Sequence, residues 1–196
     1  MPRYLIIIGL AAAVAWYFRD TEVRHPPGIL VSQAPLQKNI NAGQRIQMED
    51  FILTQRAEFS VHARVLSAER YFVGTEADLS PLDLALGWGP MSDQDVLDQI
   101  DISQGGRWYR TRYELPPPLP DDQIIFHSSN MHMIPANGSV ARSLKKLGRG
   151  DLIRIEGYLV DVDRNDGWRW RTSMRRNDTG AGACEIVFVE RVENET

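Results

Sequence analysis

Cysteine is almost absent from this chain. One cysteine, Cys184, occurs in 196 residues. A single thiol excludes an intramolecular disulfide, and it excludes every metal or redox site that needs a CxxC pair. A domain exported to an oxidising compartment would therefore depend on its hydrophobic core alone for stability.

Excess positive charge and metal-binding motifs are also absent. The formal net charge is −4, which argues against general nucleic-acid binding. No HExxH or comparable ligand pattern occurs, so we predict no metal and no cofactor. The apolar fraction of 43% and the charged fraction of 24% are ordinary for a globular protein, and the length fits one domain, or one domain with a smaller lobe.

The chain has one long hydrophobic run, residues 4–18, which carries no charge. It is shorter than the roughly 20 residues that a spanning helix needs, but it ends on Trp16-Tyr17-Phe18, as at a membrane interface. Arg3 precedes it and favours the amino end inside. We predict a single-pass membrane anchor over residues 1–19, with the rest of the chain outside the cytoplasm. A cleaved signal peptide is the alternative, because Ala13-Val14-Ala15 fits a cleavage site.

After the anchor we expect a tether and lead-in segment over residues 20–57, followed by a soluble β-rich domain over residues 58–196. The segment is rich in turn residues, such as Pro26-Pro27-Gly28. From Phe59 onwards apolar and polar residues mostly alternate, which predicts a half-buried strand.

The middle of the chain predicts short helices and strands. Ser80, Pro81 and Asp83 form a helix-start signature, and the helix would end at Gly87. A second short helix is expected from Ser92, with apolar residues at helical spacing up to Ile100. Strands are expected over residues 107–113 and 124–127.

The last sixty or so residues are the most regular. Residues 139–147 fit a two-turn helix, and residues 152–163 fit a long strand whose apolar face changes at Gly157, which predicts a bulge or bend there. Asn165-Asp166-Gly167 predicts a hairpin turn into a strand over residues 168–174, and residues 183–192 predict a closing strand. These patterns predict a mainly β fold with short helices (α+β) that contains a small antiparallel barrel.

Two resemblances support this interpretation. Residues 150–160 resemble the first strands of OB-type barrels, in which a glycine lets one strand serve both sheets. A second resemblance is carried by residues 83–93 (DLALGWGPMSD), 132–136 (HMIPA), 157–160 (GYLV) and 182–185 (GACE). In these residues the whole chain resembles a group of uncharacterised bacterial proteins with one N-terminal membrane segment. That resemblance implies a bacterial envelope protein, so we expect the anchor in the inner membrane and the soluble domain in the periplasm. It brings no activity with it.

A first candidate site is the polar segment that contains His127, Asn130 and His132. The two imidazoles could serve one pocket as metal ligands, but on a strand an offset of five residues places them on opposite faces. A hydrogen-bonded polar loop is the alternative. Cys184, with a histidine and Glu185, could form a thiol nucleophile and its base, but it begins an apolar strand, which favours a buried, inert thiol.

A second candidate site is the predicted hairpin after residue 163, where arginines alternate with tryptophans. Such a surface can hold single-stranded nucleic acid or another anion. The alternative places Trp168 and Trp170 in the core and pairs the arginines with Asp161 and Asp163. Trp88, between two glycines, either fills the end of the core or forms the floor of a pocket. The candidate arginines are Arg169, Arg171, Arg175 and Arg176.

Three functional hypotheses follow. The first is a non-enzymatic, membrane-tethered periplasmic domain that binds an envelope protein or a small ligand. The second is an oligonucleotide- or anion-binding barrel that uses the arginine–tryptophan hairpin, although nucleic acid is an unlikely partner for a periplasmic domain. The third is a hydrolase built on Cys184, or on His127 and His132.

Overall fold

The computed structural model describes residues 22–175, 180 and 182–196. The predicted anchor over residues 1–19 and the candidate residue Arg176 lie outside the described residues. Within the described residues, no helix is long and apolar enough to cross a membrane.

The described chain is mainly β with a few short helices, which confirms the α+β expectation. The strands are β1 (Leu36–Asn39), β2 (Arg45–Met48), β3 (Phe51–Arg70), β4 (Leu82–Gly87), β5 (Ile100–Gly105), β6 (Trp108–Tyr113), β7 (Ser128–Pro135), β8 (Leu152–Arg164), β9 (Arg169–Trp170) and β10 (Glu185–Asn194). The helices are α1 (Thr75–Leu79), α2 (Gln94–Leu97), α3 (Asp121–Phe126) and α4 (Gly138–Leu144), with a 3₁₀ turn at Gly89–Ser92.

Strands β3, β4, β7, β10 and β8 pair in that order, and β8 pairs again with β3, so the five strands close into a ring. The β7–β10 pair is parallel, and the other pairs in the ring are antiparallel. Strands β1 and β2 pair with β3, and β9 pairs with β8, outside the ring. Strands β5 and β6 form a separate two-stranded hairpin. A closed ring removes the free edges that an open sheet would expose.

β3 closes the ring because it is long and bulged. It has 20 residues, and it pairs with β8 along its first part and with β4 along its last part. The register with β8 shifts between Gln55 and Ala57. A bulge moves the following side chains to the other face. Phe51 and Leu53 therefore pack in a second core outside the ring, whereas Ala57 and the alternating residues after it pack in the main core.

The bulge predicted at Gly157 lies in the partner strand: β10 is bulged opposite Gly157, and β8 itself is not. β8 keeps one alternation throughout, with Ile153, Ile155 and Leu159 in the main core and Val160 and Val162 in the second core. The apolar pattern changes because both faces of β8 are buried beyond Gly157, so the alternation no longer separates core from solvent. The bulges lie in the partners of β8, at residue 56 of β3 and between Val189 and Arg191 of β10.

Gly157 is nevertheless required by packing. A Cβ atom at this position would lie 1.9 Å from the carbonyl oxygen of Phe188, because the β10 backbone approaches closely where it bulges. Only glycine leaves room for that approach.

The predicted helix near residue 140 is confirmed as α4. Its N-cap is Asn137, whose side-chain oxygen accepts hydrogen bonds from the amides of Ser139 and Val140. Val140, Leu144 and Leu147 pack in the main core, so the inner face of α4 covers one end of the ring.

Two predictions in the middle of the chain are wrong. Residues 82–87 form strand β4 instead of a helix, because pairing with β3 on one side and β7 on the other outweighs the local cap signal. Residues 121–126 form α3, and the next strand begins only at Ser128, since the short apolar run is compatible with either structure. The boundary expected at residue 57 falls inside β3, and strands β1 and β2, which precede it, pair with β3 in the same sheet.

Candidate functional site

The outer face of β4 and β7 carries a buried charged cluster centred on Asp83. Asp83 is fully buried, and its Oδ1 lies 2.8 Å from His132 Nδ1 and 2.5 Å from Arg107 Nη1. Arg107 Nη2 also donates a hydrogen bond to the carbonyl of Ser80, at 2.9 Å. Among the described residues, Asp83 Oδ2 has no hydrogen-bond partner.

Arg107 reaches this face because the β5–β6 hairpin turns tightly in front of it. Gly106 and Arg107 both have positive φ angles, 59° and 67°, as a two-residue type I′ turn requires. The turn is held by Tyr71, whose hydroxyl accepts a hydrogen bond from the Arg107 amide at 2.9 Å. The guanidinium lies 3.8 Å from the centre of the Tyr71 ring, and burial there raises the pKa of Tyr71.

The cluster is closed on its remaining side by a tryptophan. The Trp170 ring lies 4.7 Å from the His132 ring and 5.6 Å from the Arg107 guanidinium, measured to the ring centre. The His132 side chain is 4% exposed, so a substrate cannot reach it in this conformation. The cluster therefore holds the β5–β6 hairpin against the ring of strands, through a buried carboxylate that contacts His132 and Arg107.

Beside the cluster lies a cleft of about 220 Å³ between β6, α3, β7 and the start of β10. Its walls are mainly apolar, and Trp108 at its rim is 45% exposed. Burial raises the pKa of the Tyr109 hydroxyl in the wall to about 12. The cleft is lined by Trp108, Tyr109, Thr111, Ile124, Ile125, Ser128, Ser129, Asn130, Gly180, Ala183 and Cys184.

The polar groups of the cleft are engaged with one another. The Asn130 amide donates a hydrogen bond to the carbonyl of Arg107 at 3.2 Å and lies 3.7 Å from Cys184 Sγ. Its carbonyl oxygen accepts a hydrogen bond from Gln104 at 2.5 Å. Ser129 donates a hydrogen bond to Glu185 at 2.5 Å. These contacts hold β7, the hairpin and the start of β10 in one arrangement around the cleft.

The structure brings together some of the predicted site residues and separates others. Asn130, His132 and Cys184 share the outer face. His127 lies at the end of α3, where its Nδ1 is 2.8 Å from the carbonyl of Gln123. Trp88 is 2% exposed in the main core, so it fills the core as one of the alternatives predicted.

The positions of His132 and Cys184 bear on the hydrolase and metal hypotheses. Asp83 holds His132 through a hydrogen bond. Cys184 Sγ lies 3.7 Å from the Asn130 amide nitrogen and 4.0 Å from the Arg107 carbonyl oxygen. In the described ranges, no group of three or more His, Cys, Asp or Glu side chains is arranged to hold a metal ion.

In the arginine–tryptophan hairpin, the tryptophans pack against the protein and two arginines pair with a carboxylate. This is the arrangement given above as the alternative to a binding surface. Trp168 and Trp170 pack against the second core. Arg171 donates hydrogen bonds to the carbonyl of Val162 at 2.7 Å and to Asp163 at 2.5 Å. Arg169 lies 3.7 Å from the same carboxylate. Arg175 is exposed.

Sequence reasoning misses the residues that organise this face. The local pattern at Asp83 predicts a helix cap, and no motif selects Arg107, Tyr71 or Gln104. The available signal is a single carboxylate inside the apolar segment Leu82-Asp83-Leu84-Ala85-Leu86, since a charge in a buried strand needs a partner. The Gly105-Gly106 pair in front of Arg107 is the matching signal for a hairpin turn.

Comparisons with known proteins found no matching family model, no similar curated protein and no similar solved structure at a significant level.

Proposed function

We propose that this chain is a non-enzymatic binding domain, tethered to a bacterial inner membrane by residues 1–19 and facing the periplasm, that binds an extended segment of a partner protein. The observation that carries the proposal is the apolar cleft beside the edge of β6 that pairs with no other strand in the described part of the chain. The cleft would take one apolar side chain of the partner, and the strand edge would take its backbone.

The size of the cleft favours a side chain over a separate small molecule. Its volume of about 220 Å³ is below the roughly 300–1,000 Å³ of sites that enclose drug-sized ligands. Two partly exposed apolar side chains line it, Trp108 at 45% and Ile125 at 38% exposure. Aromatic residues at the rim of an apolar pocket are typical of protein–protein interfaces.

The backbone of β6 offers the second contact. In the described part of the chain β6 pairs with β5 alone, so its other edge has unpaired amides and carbonyls. Because Gly105 and Trp108 flank the two-residue turn, the amides of Tyr109 and Thr111 point to the free edge. An extended peptide can add a strand to such an edge, and pockets beside it then select the side chains.

The barrel itself is consistent with this location. The ring order of β3, β4, β7, β10 and β8 supports our proposal of an OB-like barrel, a fold whose ligands contact the face of the second and third strands. In this chain those strands are β4 and β7, and the cleft lies at the end of that face. Because one barrel fold can carry many different binding sites, the fold does not identify the function. The proposal therefore rests on the cleft and the β6 edge.

Oligonucleotide or anion binding by the arginine–tryptophan hairpin is the less favoured alternative. Arg171 and Arg169 share the carboxylate of Asp163, and both tryptophans are partly buried against the second core. Binding by this hairpin would first have to release those contacts.

The test presents a random array of short peptides to the full-length chain in detergent. The peptides that the chain retains are then identified. We expect retained peptides to be extended and to share one large apolar residue. Thr111→Trp, which fills the cleft, should abolish their retention, and so should Thr111→Pro, which removes an edge amide.

The matched control is Leu36→Trp, which adds the same ring at a position that is already 70% exposed on β1. This variant should retain the same peptides as the parent chain. Peptides that bind all of these variants equally would contradict a binding site at the cleft and the β6 edge.

A further inference from the structure

We infer that the end of the barrel covered by α4 docks flat against an anionic lipid surface, with the tip of the β3–β4 loop inserted at the interface. This inference rests on the proposed membrane tether. It concerns a face of the molecule that the peptide-binding proposal does not use.

The first observation is where the chain enters the folded domain. The amide of Val23 donates a hydrogen bond to the carbonyl of Arg149 at 2.9 Å, and Glu22 pairs with the Arg149 guanidinium at 3.3 Å. A Cβ atom on Gly150 would lie 1.9 Å from the carbonyl oxygen of Val23, so the entering chain is packed directly on this turn. The point of entry is therefore fixed beside residues 149–150, which follow α4.

The second observation is how little chain remains between this point and the apolar run. Four residues along the chain lead from Phe18, the end of the apolar run, to Glu22 at the point of entry. Even when fully extended, a chain of that length spans at most about 14 Å. If residues 4–18 span a bilayer, the surface around Arg149 must lie close to the lipid headgroups. The short tether by itself therefore requires that the end of the barrel near Arg149 faces the membrane.

The third observation is the charge at that end. The inner face of α4 is in the core, and its outer face, with the turn that follows, exposes Arg142, Lys145 and Lys146. Residues 138–150 contain no aspartate or glutamate. A cluster of cations attracts anionic headgroups, even though the chain as a whole has a net charge of −4. The carboxylates at this end are Asp151, which accepts a hydrogen bond from the Gly148 amide, and Glu22, which pairs with Arg149. Glu69 on β3 and Glu76 and Asp78 on α1 flank the loop tip.

The fourth observation is an exposed apolar tip next to these cations. Phe72 is 86% and Val73 91% exposed, on the loop between β3 and α1. Phe72 and Lys145 line the same apolar cavity of about 350 Å³, and Arg70 binds the carbonyls of Lys145 and Leu147 at 3.0 and 3.2 Å. Large apolar side chains beside a basic face are the combination with which proteins lie on a membrane interface.

The test uses the full-length chain reconstituted in vesicles that contain phosphatidylglycerol and lipids with nitroxide-labelled acyl chains. In a Cys184→Ser background, a fluorophore is attached at Val73→Cys, and in a second sample at Asp50→Cys. Asp50 is exposed at the opposite end of β3 from the loop tip. We expect the nitroxides to quench the label at position 73 several-fold more than the label at position 50.

Charge reversal tests the role of α4. The triple variant Arg142→Glu, Lys145→Glu, Lys146→Glu should bring quenching at position 73 down to the level at position 50, because each cation near the surface favours the docked state roughly fivefold. The matched control is Lys38→Glu, Arg45→Glu, Arg191→Glu, which reverses three exposed cations on other strands and should leave quenching unchanged. Circular dichroism establishes that all variants are folded.

Two contrary results are distinguishable. Equal quenching at positions 73 and 50, in a chain that resists alkaline carbonate extraction, would overturn the docking and leave the tether intact. Release of the chain by carbonate would overturn the tether, and the docking with it.

Discussion

Asp83 is the residue on which the outer face of β4 and β7 depends. A buried carboxylate is stable only when its partners compensate for the loss of water, and here they are His132 and Arg107. Both partners come from other elements, so the charge fixes how the β5–β6 hairpin sits on the barrel. The same hairpin carries the β6 edge of the proposed peptide site.

Replacing Asp83 by alanine should lower the free energy of unfolding by about 3–5 kcal/mol, because the buried His132 and the partly buried Arg107 would lose their carboxylate. Urea unfolding followed by circular dichroism measures this change. Asp95→Ala is the control: Asp95 is exposed on α2, and its loss should change stability by no more than about 0.5 kcal/mol. Equal effects of the two substitutions would show that the cluster contributes nothing.

Tyr109 gives the protein a specific sensitivity to alkali. Burial raises the pKa of its hydroxyl to about 12 in the folded chain, although the hydrogen bond with Ser128 opposes this shift. In the unfolded chain the hydroxyl ionises near pH 10. The unfolded state therefore loses this proton first, and stability falls as the pH rises from about 10 to 12.

The Tyr109→Phe variant should lose less stability than the parent chain over that pH window, by up to about 2–3 kcal/mol. Urea unfolding at intervals between pH 9 and 12 would measure the two slopes. Parallel slopes would mean that Tyr109 ionises in the folded chain as readily as in the unfolded one.

For single residues, the sequence predicts burial more readily than it predicts contact partners. It places Trp168 and Trp170 against the core, because alternation along a strand is local information. It misses the interaction of Asp83 with Arg107, because residues 24 positions apart meet only when β4 and the hairpin have been placed.

Gly157 shows how one element constrains another. The β10 backbone bulges toward β8 at this position, and there is no space for a Cβ atom beside the Phe188 carbonyl. Gly148, in the turn after α4, is the opposite case, because a Cβ atom added there would meet no described atom within 4 Å.

Gly157→Ala should therefore destabilise the chain by about 1–3 kcal/mol or more, since the clash is with backbone that cannot rotate away. For a chain of this size, that corresponds to a melting temperature lower by roughly 2–12 °C. Gly148→Ala, measured in the same thermal scan, should leave the melting temperature nearly unchanged. If both variants lowered the melting temperature equally, the effect would come from replacing a glycine in general, and the contact with β10 would have no role.

The elements that the sequence predicts well are those whose pattern is local. Residues 152–163, 183–192 and 139–147 have clear periodicity and a cap or turn at their ends, and the structure has β8, β10 and α4 there. The sequence predicts a helix in place of β4 because the start of this strand resembles a helix cap, and only its two neighbouring strands decide the matter.

At the scale of the whole molecule, two faces have separate roles in our proposals. The α4 end would face the lipid, and the cleft beside β6 would remain open to the periplasm. This division requires that the folded part lies outside the cytoplasm, a property that the sequence predicts only through residues 1–19 and their flanking charges.

Protease accessibility in intact spheroplasts tests this arrangement directly. The loop between β6 and α3 is suited to a specific cleavage site, because Leu115 in it is 85% exposed. With a protease recognition sequence inserted at residues 115–116 of the full-length chain, we expect cleavage without permeabilisation, and the N-terminal fragment should stay with the membrane. A cytoplasmic marker protein must remain intact in the same sample.

Each alternative gives its own pattern in that experiment. Cleavage with a soluble N-terminal fragment that starts after Ala15 would favour the cleaved signal peptide and remove the tether, because the apolar run would be gone. Complete protection until the membrane is permeabilised would place the domain in the cytoplasm. The periplasmic location would then be wrong, and the peptide-binding cleft would have to be assigned to a cytoplasmic partner.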